Sequence, residues 1–422
     1  MRAIPLEEAR ETIFISVAAY RDPELGPTID DCLAKARYPD RLRFVVCWQH
    51  DVGDAPPACF QDERVTVVQV GWRQSRGACW ARAEIMKCWD DEDWYLQIDS
   101  HHRFVEGWDV LLLEQAALSG SPKPVVTAYG VPYSPGAPAA TMGRAPLRME
   151  FDRFSEDGIP IFRPGYFADW KDRVAPLRGR YASAHLFFAP GSFVRDVPYD
   201  PNLYFIGEEI TLAVRAFTHG YDLFEPSRLI AWHEYSRQYR PKHWDDHITE
   251  NQVDMPWHTR DALSRARVRG LLESPWVGEF GCGASRTIAD YEAYSGISFR
   301  SWRVQDYTRR NLEPPNPPAD DDWAQRTVVR QLRILLDPAD LPGPALQSPL
   351  FWYVGFHNSD GQELFRQDVS GTELQQLLGN GQTPIALSRR FESTAEPATW
   401  TVMPYVAATG WLAPITRPVM SR

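Results

Sequence analysis

The chain has 422 residues, of which 44% are hydrophobic and 24% charged, so it is long enough for two globular domains or one enlarged domain. Its formal net charge of −11 argues against a nucleic-acid or anionic-membrane partner. The sequence has no apolar run of membrane-spanning length, no segment like a signal peptide and no cysteine spacing typical of a disulfide framework or metal cluster. We therefore expect a soluble, cytoplasmic protein with reduced cysteines and no membrane insertion, while its oligomeric state is left open.

The first 130 residues alternate between strand and helix patterns. Short apolar runs rich in β-forming residues predict strands at 13–19, 43–49, 64–70, 94–98 and 124–129. Helices are predicted between them at 28–37, 75–89 (with Ser75 as the cap) and 107–118. This alternation is typical of a mainly parallel sheet covered by helices on both faces. In such sheets ligands bind beyond the carboxyl ends of the strands.

The later part of the chain divides less regularly. Residues 130–180 are rich in proline, glycine, arginine and aromatic residues without a clear period, which favours a functional loop. A helix is predicted at 208–220 and extended chain at 222–235. We predict a catalytic domain over 1–310 (core 12–250, helical or irregular extension 251–310), a proline-rich linker at 311–344 and a small β-rich domain at 345–422, with a hairpin turn at 359–361.

Two polar strand ends suggest metal ligands. Asp99 and His101 follow the strand at 94–98, and residues two apart at a strand end point to the same side, so a carboxylate and an imidazole stand together. His233 follows a second apolar run, and it could complete a three-ligand site for a divalent cation. A polar strand terminus facing water would give the same pattern at each of these places.

Charged residues open two of the predicted helices. Arg76 lies at a helix start, where the helix dipole prefers anions, and Arg82 lies nearly two turns further on. This placement indicates either a phosphate or nucleotide ligand held by guanidinium groups, or surface salt bridges. Glu208 and Glu209 open the helix at 208–220, where the dipole alone explains them, although a carboxylate beside a sugar or an acceptor would look the same.

Taken together, these motifs resemble a known enzyme family. The segments at 13–51, 75–82, 94–104 and 207–224 are similar to the cytoplasmic polypeptide (hydroxyproline) N-acetylglucosaminyltransferases and their bacterial relatives, and more distantly to the polypeptide N-acetylgalactosaminyltransferases. The order of features is the same: an arginine motif, an Asp-x-His motif, a Gly-Glu helix and a late histidine. The resemblance covers about residues 12–240 and leaves the last 80 without a counterpart.

The resemblance implies a GT-A-like nucleotide-diphospho-sugar transferase fold and specific roles. Asp99, His101 and His233 would bind Mn²⁺ or Mg²⁺ on the diphosphate of a UDP-sugar, most simply UDP-GlcNAc. The nucleotide sugar would contact a further set of residues: Tyr20, Arg21, Asp22, Arg76, Arg82, Ser100 and His185. Glu208 would contact a sugar hydroxyl or the acceptor, and Glu209 is available as a catalytic carboxylate. The reaction would retain the anomeric configuration, with its mechanism open.

Three functions are compatible with these residues. The leading hypothesis is a metal-dependent glycosyltransferase acting on a hydroxyl of a peptide, a protein or a small molecule. A catalytically decayed GT-A protein that binds carbohydrate or peptide is the alternative, although all three ligand types are present. A metal-dependent hydrolase is disfavoured, because the sequence has no H-E-x-x-H or H-x-x-E-H spacing, and His243 and His247 share only a helical face.

Overall fold

The computed structural model describes residues 11–137, 142–167, 169–236, 238, 240–318, 328–379, 383–393 and 395–419. The chain forms two compact units, the first made of Met1–Arg300 and Val304–Asp320 and the second of Ser301–Arg303 and Asp321–Arg422. Within the described residues, no helix is both long and apolar enough to cross a lipid bilayer.

The strands and helices of the first 130 residues follow the predicted alternation, and further elements continue to residue 309. The strands are β1 (Ile13–Tyr20), β2 (Leu42–His50), β3 (Val65–Gly71), β4 (Trp94–Asp99), β5 (His102–Phe104), β6 (Pro124–Thr127), β7 (Val131–Pro132), β8 (Leu147–Phe154), β9 (Pro160–Tyr166), β10 (Leu177–Arg178), β11 (Leu186–Pro190), β12 (Asp222–Glu225), β13 (Ala231–His233), β14 (Ile297–Ser298) and β15 (Arg303–Val304). The helices are α1 (Leu25–Lys35), α2 (Ala78–Met86), α3 (Trp108–Leu118), α4 (Phe193–Asp196), α5 (Glu208–Thr218), α6 (His243–Asp246), α7 (Trp257–Glu273), α8 (Ile288–Ser295) and α9 (Asp306–Arg309).

An eight-stranded sheet forms the centre of the first unit. Its strand order is β10-β12-β6-β11-β4-β1-β2-β3. Strands β4, β1, β2 and β3 are parallel to one another. Strand β11 is antiparallel to both of its neighbours, β4 and β6, and β10 is antiparallel to β12. Side chains of β1 alternate between two hydrophobic clusters, with Phe14 in one and Ile15 and Val17 in the other. The sheet is therefore buried on both faces, as its continuous apolar strands require. The predicted α/β architecture, a mainly parallel central sheet flanked by helices, is confirmed.

The strand register brings several polar residues to one edge of this sheet. Asp99 at the end of β4 is paired with Ala18 of β1, and Tyr20 at the end of β1 is paired with Gln49 of β2. A second, three-stranded sheet, β5-β13-β7, begins immediately beyond β4 and places His233 opposite His102. Because of this pairing, His233 lies next to the carboxyl end of β4 although it is far from that strand in sequence.

Three boundaries differ from the prediction. Part of the segment expected to be irregular, 130–180, forms a hairpin of β8 and β9, because buried Leu147, Met149 and Phe151 alternate with charged residues. Helix α2 was predicted to begin at Ser75, but it begins after Gly77, whose φ is 103°. The Ser75 hydroxyl donates a hydrogen bond to the side chain of Gln49 and does not cap the helix. The predicted linker 311–344 contains an apolar strand at 328–336, while 319–327 lie outside the described residues.

The second unit is β-rich, as predicted, with short helices between its strands. Its elements are β16 (Val328–Leu336), α10 (Gly343–Gln347), β17 (Pro349–His357), β18 (Glu363–Ser370), α11 (Gly371–Gly379), β19 (Ile385–Ser393), β20 (Thr399–Val406), β21 (Gly410–Trp411) and β22 (Ile415–Pro418). Strands β17 and β18 form the predicted hairpin around 359–361. A core of its own, which includes the fully buried Trp352 and Val354, holds this unit together.

Candidate functional site

Asp99, His101 and His233 converge at the carboxyl end of β4. Their potential ligand atoms all lie within 4.8 Å of one another. The Oδ2 atom of Asp99 is 3.4 Å from Nε2 of His233 and 3.7 Å from Nε2 of His101. Burial lowers the pKa of His233 well below its usual value, so its imidazole is neutral and keeps a lone pair. A carboxylate oxygen and two imidazole nitrogens form a donor set that fits a divalent cation.

Asp22 orients the first of these histidines. Its Oδ2 atom accepts a hydrogen bond from Nδ1 of His101 at 2.7 Å and another from the Ser100 hydroxyl at 2.7 Å. Burial alone would raise the pKa of Asp22, but the interactions with His101, the charge of Arg240 and the backbone N–H of Glu24 together outweigh burial and lower the pKa, so the group is a carboxylate. Because Nδ1 donates its proton to Asp22, the lone pair of His101 is on Nε2, which lies 3.7 Å from Oδ2 of Asp99. Asp22 thus lies behind a candidate metal ligand, fully buried, although its sequence position suggested a nucleotide contact.

A second histidine group overlaps the first. Among the described residues, His102, His185 and His233 also have potential ligand atoms within 4.8 Å of one another. The ring of His185, however, stacks on that of His233 at 4.1 Å with an interplanar angle of 23°, and its Nε2 accepts the backbone N–H of Gly130 at 2.9 Å. An imidazole binds a metal through a free lone pair that lies in the plane of its ring. Two stacked, nearly parallel rings therefore cannot both direct a lone pair at the same ion. The set containing Asp99 is the better metal site.

Arg82 joins the candidate metal site to helix α5. It is 2% exposed, donates to Oδ1 of Asp99 at 2.6 Å and forms an ion pair with Glu208. The Asp99 pKa lies well below its usual range: burial would raise it, and the hydrogen bond with His233 and the charge of Arg82 reverse that effect. Arg82 and Glu208 thus neutralise each other inside the protein. Their predicted contacts with nucleotide and sugar remain predictions.

Glu209 lies in a different environment from its neighbour. Its carboxylate accepts hydrogen bonds from the Tyr129 hydroxyl at 2.7 Å and from the backbone N–H of Ala184 at 3.2 Å. Burial raises the pKa of Glu209 to about 7, so both protonation states are accessible at neutral pH. Tyr129 in turn stacks on His185 at 5.3 Å. Glu209, Tyr129 and His185 therefore form one polar group next to the candidate metal ligands.

A cleft of about 750 Å³, including the space at its mouth, opens beside the site. The residues that line it are Ala18, Tyr20, Gln49, Gly77, Ala78, Asp99, Ser100, His101, Tyr204, Phe205, Arg240, Pro241, Lys242, His243 and Trp244. Of the residues predicted to contact the nucleotide, Tyr20 and Ser100 are among them. Tyr20 and Arg21 also bind Asp246 through contacts of 2.9 Å each, and Arg76 is exposed.

Sequence reasoning missed the basic residues of this cleft. Arg240 and Lys242 follow His233 by fewer than ten positions and line the cleft beside His101. The signal that could have found them is the R-P-K-H-W run at 240–244, which places positive and aromatic side chains shortly after a predicted metal ligand.

The chain matches one protein-family model over more than half of its length. The family model described as Glycosyltransferase (GlcNAc) matches residues 12–61 and 57–301. No curated protein sequence is significantly similar to the chain.

Solved structures share a distant likeness. GalNAc-T7, crystallised with UDP, GalNAc and Mn²⁺, has a TM-score of 0.41 and 14% identity, covering 56% of this chain and 45% of its own. TarS 1–349 from S. aureus has a TM-score of 0.34 and 10% identity, covering 60% of this chain and 69% of its own; its complex with UDP gives the same score with coverages of 62% and 72%. This chain thus spans less than half of GalNAc-T7.

Proposed function

Because the chain belongs to the Glycosyltransferase (GlcNAc) family, we propose that it transfers N-acetylglucosamine, or a related sugar, from a UDP-sugar to a hydroxyl group with the help of a divalent metal. Family membership makes the protein a glycosyltransferase, as its sequence predicts. The donor sugar, the metal and the acceptor are the parts we propose. The resemblance to hydroxyproline-modifying enzymes makes a peptide hydroxyl the first acceptor to test, before small molecules.

The convergence of Asp99, His101 and His233 beside the cleft is the observation that supports the proposal most strongly. One carboxylate oxygen and two imidazole nitrogens suit Mn²⁺ and accommodate Mg²⁺ less well, since Mg²⁺ prefers oxygen ligands. When bound, such an ion neutralises charge on a departing diphosphate. In a chain with a net charge of −11, a cation at this position supplies the positive charge that an anionic donor needs.

The surrounding residues would orient the reactants. Asp22 fixes the tautomer of His101, and Arg82 holds Asp99 in place from inside the protein. Glu209 is the carboxylate that we assign to the sugar or the acceptor, because it is bonded to the backbone of Ala184, next to His185, and not to an arginine. A carboxyl group with a pKa of about 7 is able to give or take a proton at neutral pH.

A thermal-unfolding panel tests the nucleotide and metal parts. The full chain, His233→Gln and the control His219→Gln are heated with UDP, GDP and their sugars, with and without Mn²⁺. His219 suits the control because its Nδ1 donates to the Arg215 carbonyl at 2.7 Å and it belongs to neither histidine group of the site. UDP at a concentration a hundred times its dissociation constant raises the free energy of unfolding by about 2.7 kcal/mol. We expect this stabilisation with Mn²⁺ only, in the wild type and His219→Gln. Equal stabilisation without metal, or no stabilisation with any nucleotide, would contradict the assignment of Asp99, His101 and His233 as a metal site for nucleotide binding.

Turnover is tested separately. Release of UDP from UDP-GlcNAc in the presence of a hydroxyproline-peptide library, with the anomeric configuration of the product read by NMR, distinguishes an enzyme from a sugar-binding protein. A retained α-linkage is the expected product. Nucleotide binding without transfer to any acceptor would favour the decayed, binding-only alternative.

A further inference from the structure

Arg240 occupies the position that a metal ion needs at His101. Its Nη2 atom lies 2.9 Å from Nε2 of His101, and its Nε atom lies 3.4 Å from Oδ2 of Asp22. Because Nδ1 of His101 donates to Asp22, Nε2 carries the lone pair, so Arg240 donates into it. The guanidinium group is a monovalent cation held on the nitrogen that the proposed metal site requires.

A guanidinium and a divalent cation cannot share this nitrogen. One lone pair either accepts a hydrogen bond or binds a metal, and arginine does not lose its proton in a protein. If the metal took Nε2 at about 2.1 Å while Arg240 stayed in place, the two cations would lie no more than about 5 Å apart. They would repel each other strongly in a buried site. Metal binding therefore requires either that Arg240 move away or that an anion bind between the metal ion and the guanidinium group.

A diphosphate bound in the cleft would be an alternative partner for Arg240. Arg240 and Lys242 line the same cleft as Tyr20 and Gly77, and the guanidinium group is suited to bidentate phosphate contacts. We propose that Arg240 couples metal binding to nucleotide binding: it holds Nε2 of His101 in the free protein and is transferred to the diphosphate when the metal and the UDP-sugar bind together. This inference rests on the proposed function, since it takes the metal to lie at Asp99, His101 and His233.

The coupling predicts an unusual effect of one substitution. Removing the guanidinium group frees the lone pair of His101 and takes away the competing charge. We expect Arg240→Met to bind Mn²⁺ in the absence of nucleotide about tenfold more tightly than the wild type. At the same time, the factor by which UDP strengthens Mn²⁺ binding should fall by a similar amount, because nucleotide no longer relieves any competition.

Titration calorimetry of the full chain measures both quantities. Mn²⁺ is titrated into the wild type, Arg240→Met and Arg240→Gln, with and without saturating UDP, after circular dichroism has shown that each variant is folded. The matched control is Lys242→Met, which lines the same cleft but contacts Asp245 and not His101. It should weaken UDP binding without changing the affinity of the free protein for Mn²⁺.

The outcomes separate this inference from the function on which it rests. Unchanged or weaker Mn²⁺ binding by both Arg240 variants, in a protein whose wild type binds Mn²⁺ with UDP, overturns the role of Arg240 alone. Wild-type protein that binds no Mn²⁺ even with UDP overturns the metal site and this inference together. A gain in Mn²⁺ affinity in Lys242→Met as large as in Arg240→Met would show a general charge effect and would also overturn the specific role.

Discussion

Replacing Asp22 with Asn perturbs the candidate metal site without touching a ligand. In the wild type Oδ2 of Asp22 accepts from Nδ1 of His101, while Oδ1 accepts from the backbone N–H of Glu24 at 2.9 Å. An Asn side chain has the same size and can keep the bond to Glu24, but it presents an NH₂ group to His101. That donor favours the tautomer of His101 with its proton on Nε2, the atom that would face the metal.

The size of the effect follows from this change of tautomer. Removing the carboxylate partner of a metal-binding histidine typically lowers metal affinity by 10–100-fold, or about 1.4–2.7 kcal/mol. Asp22 is fully buried, and its interactions with His101, Arg240 and the backbone N–H of Glu24 together outweigh the effect of burial and lower its pKa, so the wild-type carboxylate is ionised at neutral pH. We therefore expect Asp22→Asn to lose at least tenfold in Mn²⁺ affinity in the presence of UDP.

Calorimetric titration of Mn²⁺ into the protein saturated with UDP measures the loss. Asp51→Asn is the control, because Asp51 lies 3.6 Å from Arg21 near the cleft but has no contact with His101. The control should match the wild type within about twofold. Asp22→Asn that binds Mn²⁺ as tightly as Asp51→Asn, while remaining folded, would show that His101 does not bind the metal through Nε2.

Three further predictions concern buried charges and one glycine. Arg82→Met should lower the free energy of unfolding in urea by about 3–5 kcal/mol, because it leaves the buried Glu208 unpaired; a loss below about 1 kcal/mol would contradict this. Glu209 has a folded pKa raised from 4.5 to about 7, so wild-type stability should fall as pH rises between these values, and Glu209→Gln should remove that part of the pH dependence of thermal unfolding. Gly77→Ala should weaken UDP binding measured by calorimetry and destabilise α2 by about 1–3 kcal/mol, since φ is 103° and a Cβ would lie 2.9 Å from Tyr204. Unchanged binding and stability in Gly77→Ala would show that the backbone adjusts freely.

The sequence predicted the parallel sheet because its strands are short apolar runs that end abruptly in polar residues. It also indicated Asp99 and His101 as neighbours from their spacing at a strand end, although β4 ends at Asp99 and His101 lies in the bend that follows. The pairing of β5 with β13, which brings His233 to the same place, depends on contacts between residues more than 100 positions apart. No local pattern encodes such a register. The apolar run before His233 indicated only a possible third ligand, and the resemblance to a family supported grouping it with Asp99 and His101.

The hairpin at 147–166 was missed for a different reason. Proline and glycine recur throughout 130–180, and they obscured the stretch 147–152, in which buried and charged side chains alternate. The role of Arg82 was not readable either. An arginine in the first half of a helix suggests an anion from outside, whereas the anions here are Asp99 and Glu208 from distant parts of the same chain.

The charge balance of the cleft connects these findings. Arg82 is neutralised by Asp99 and Glu208, and Arg21 is paired with Asp246, so neither offers an unpaired charge to a nucleotide. The basic side chains that line the cleft are Arg240 and Lys242, and the first of them is held on His101. Under the proposed function, a divalent cation at Asp99 would supply positive charge to a UDP-sugar directly. By displacing Arg240 from His101, the same cation would also release a guanidinium group for the diphosphate.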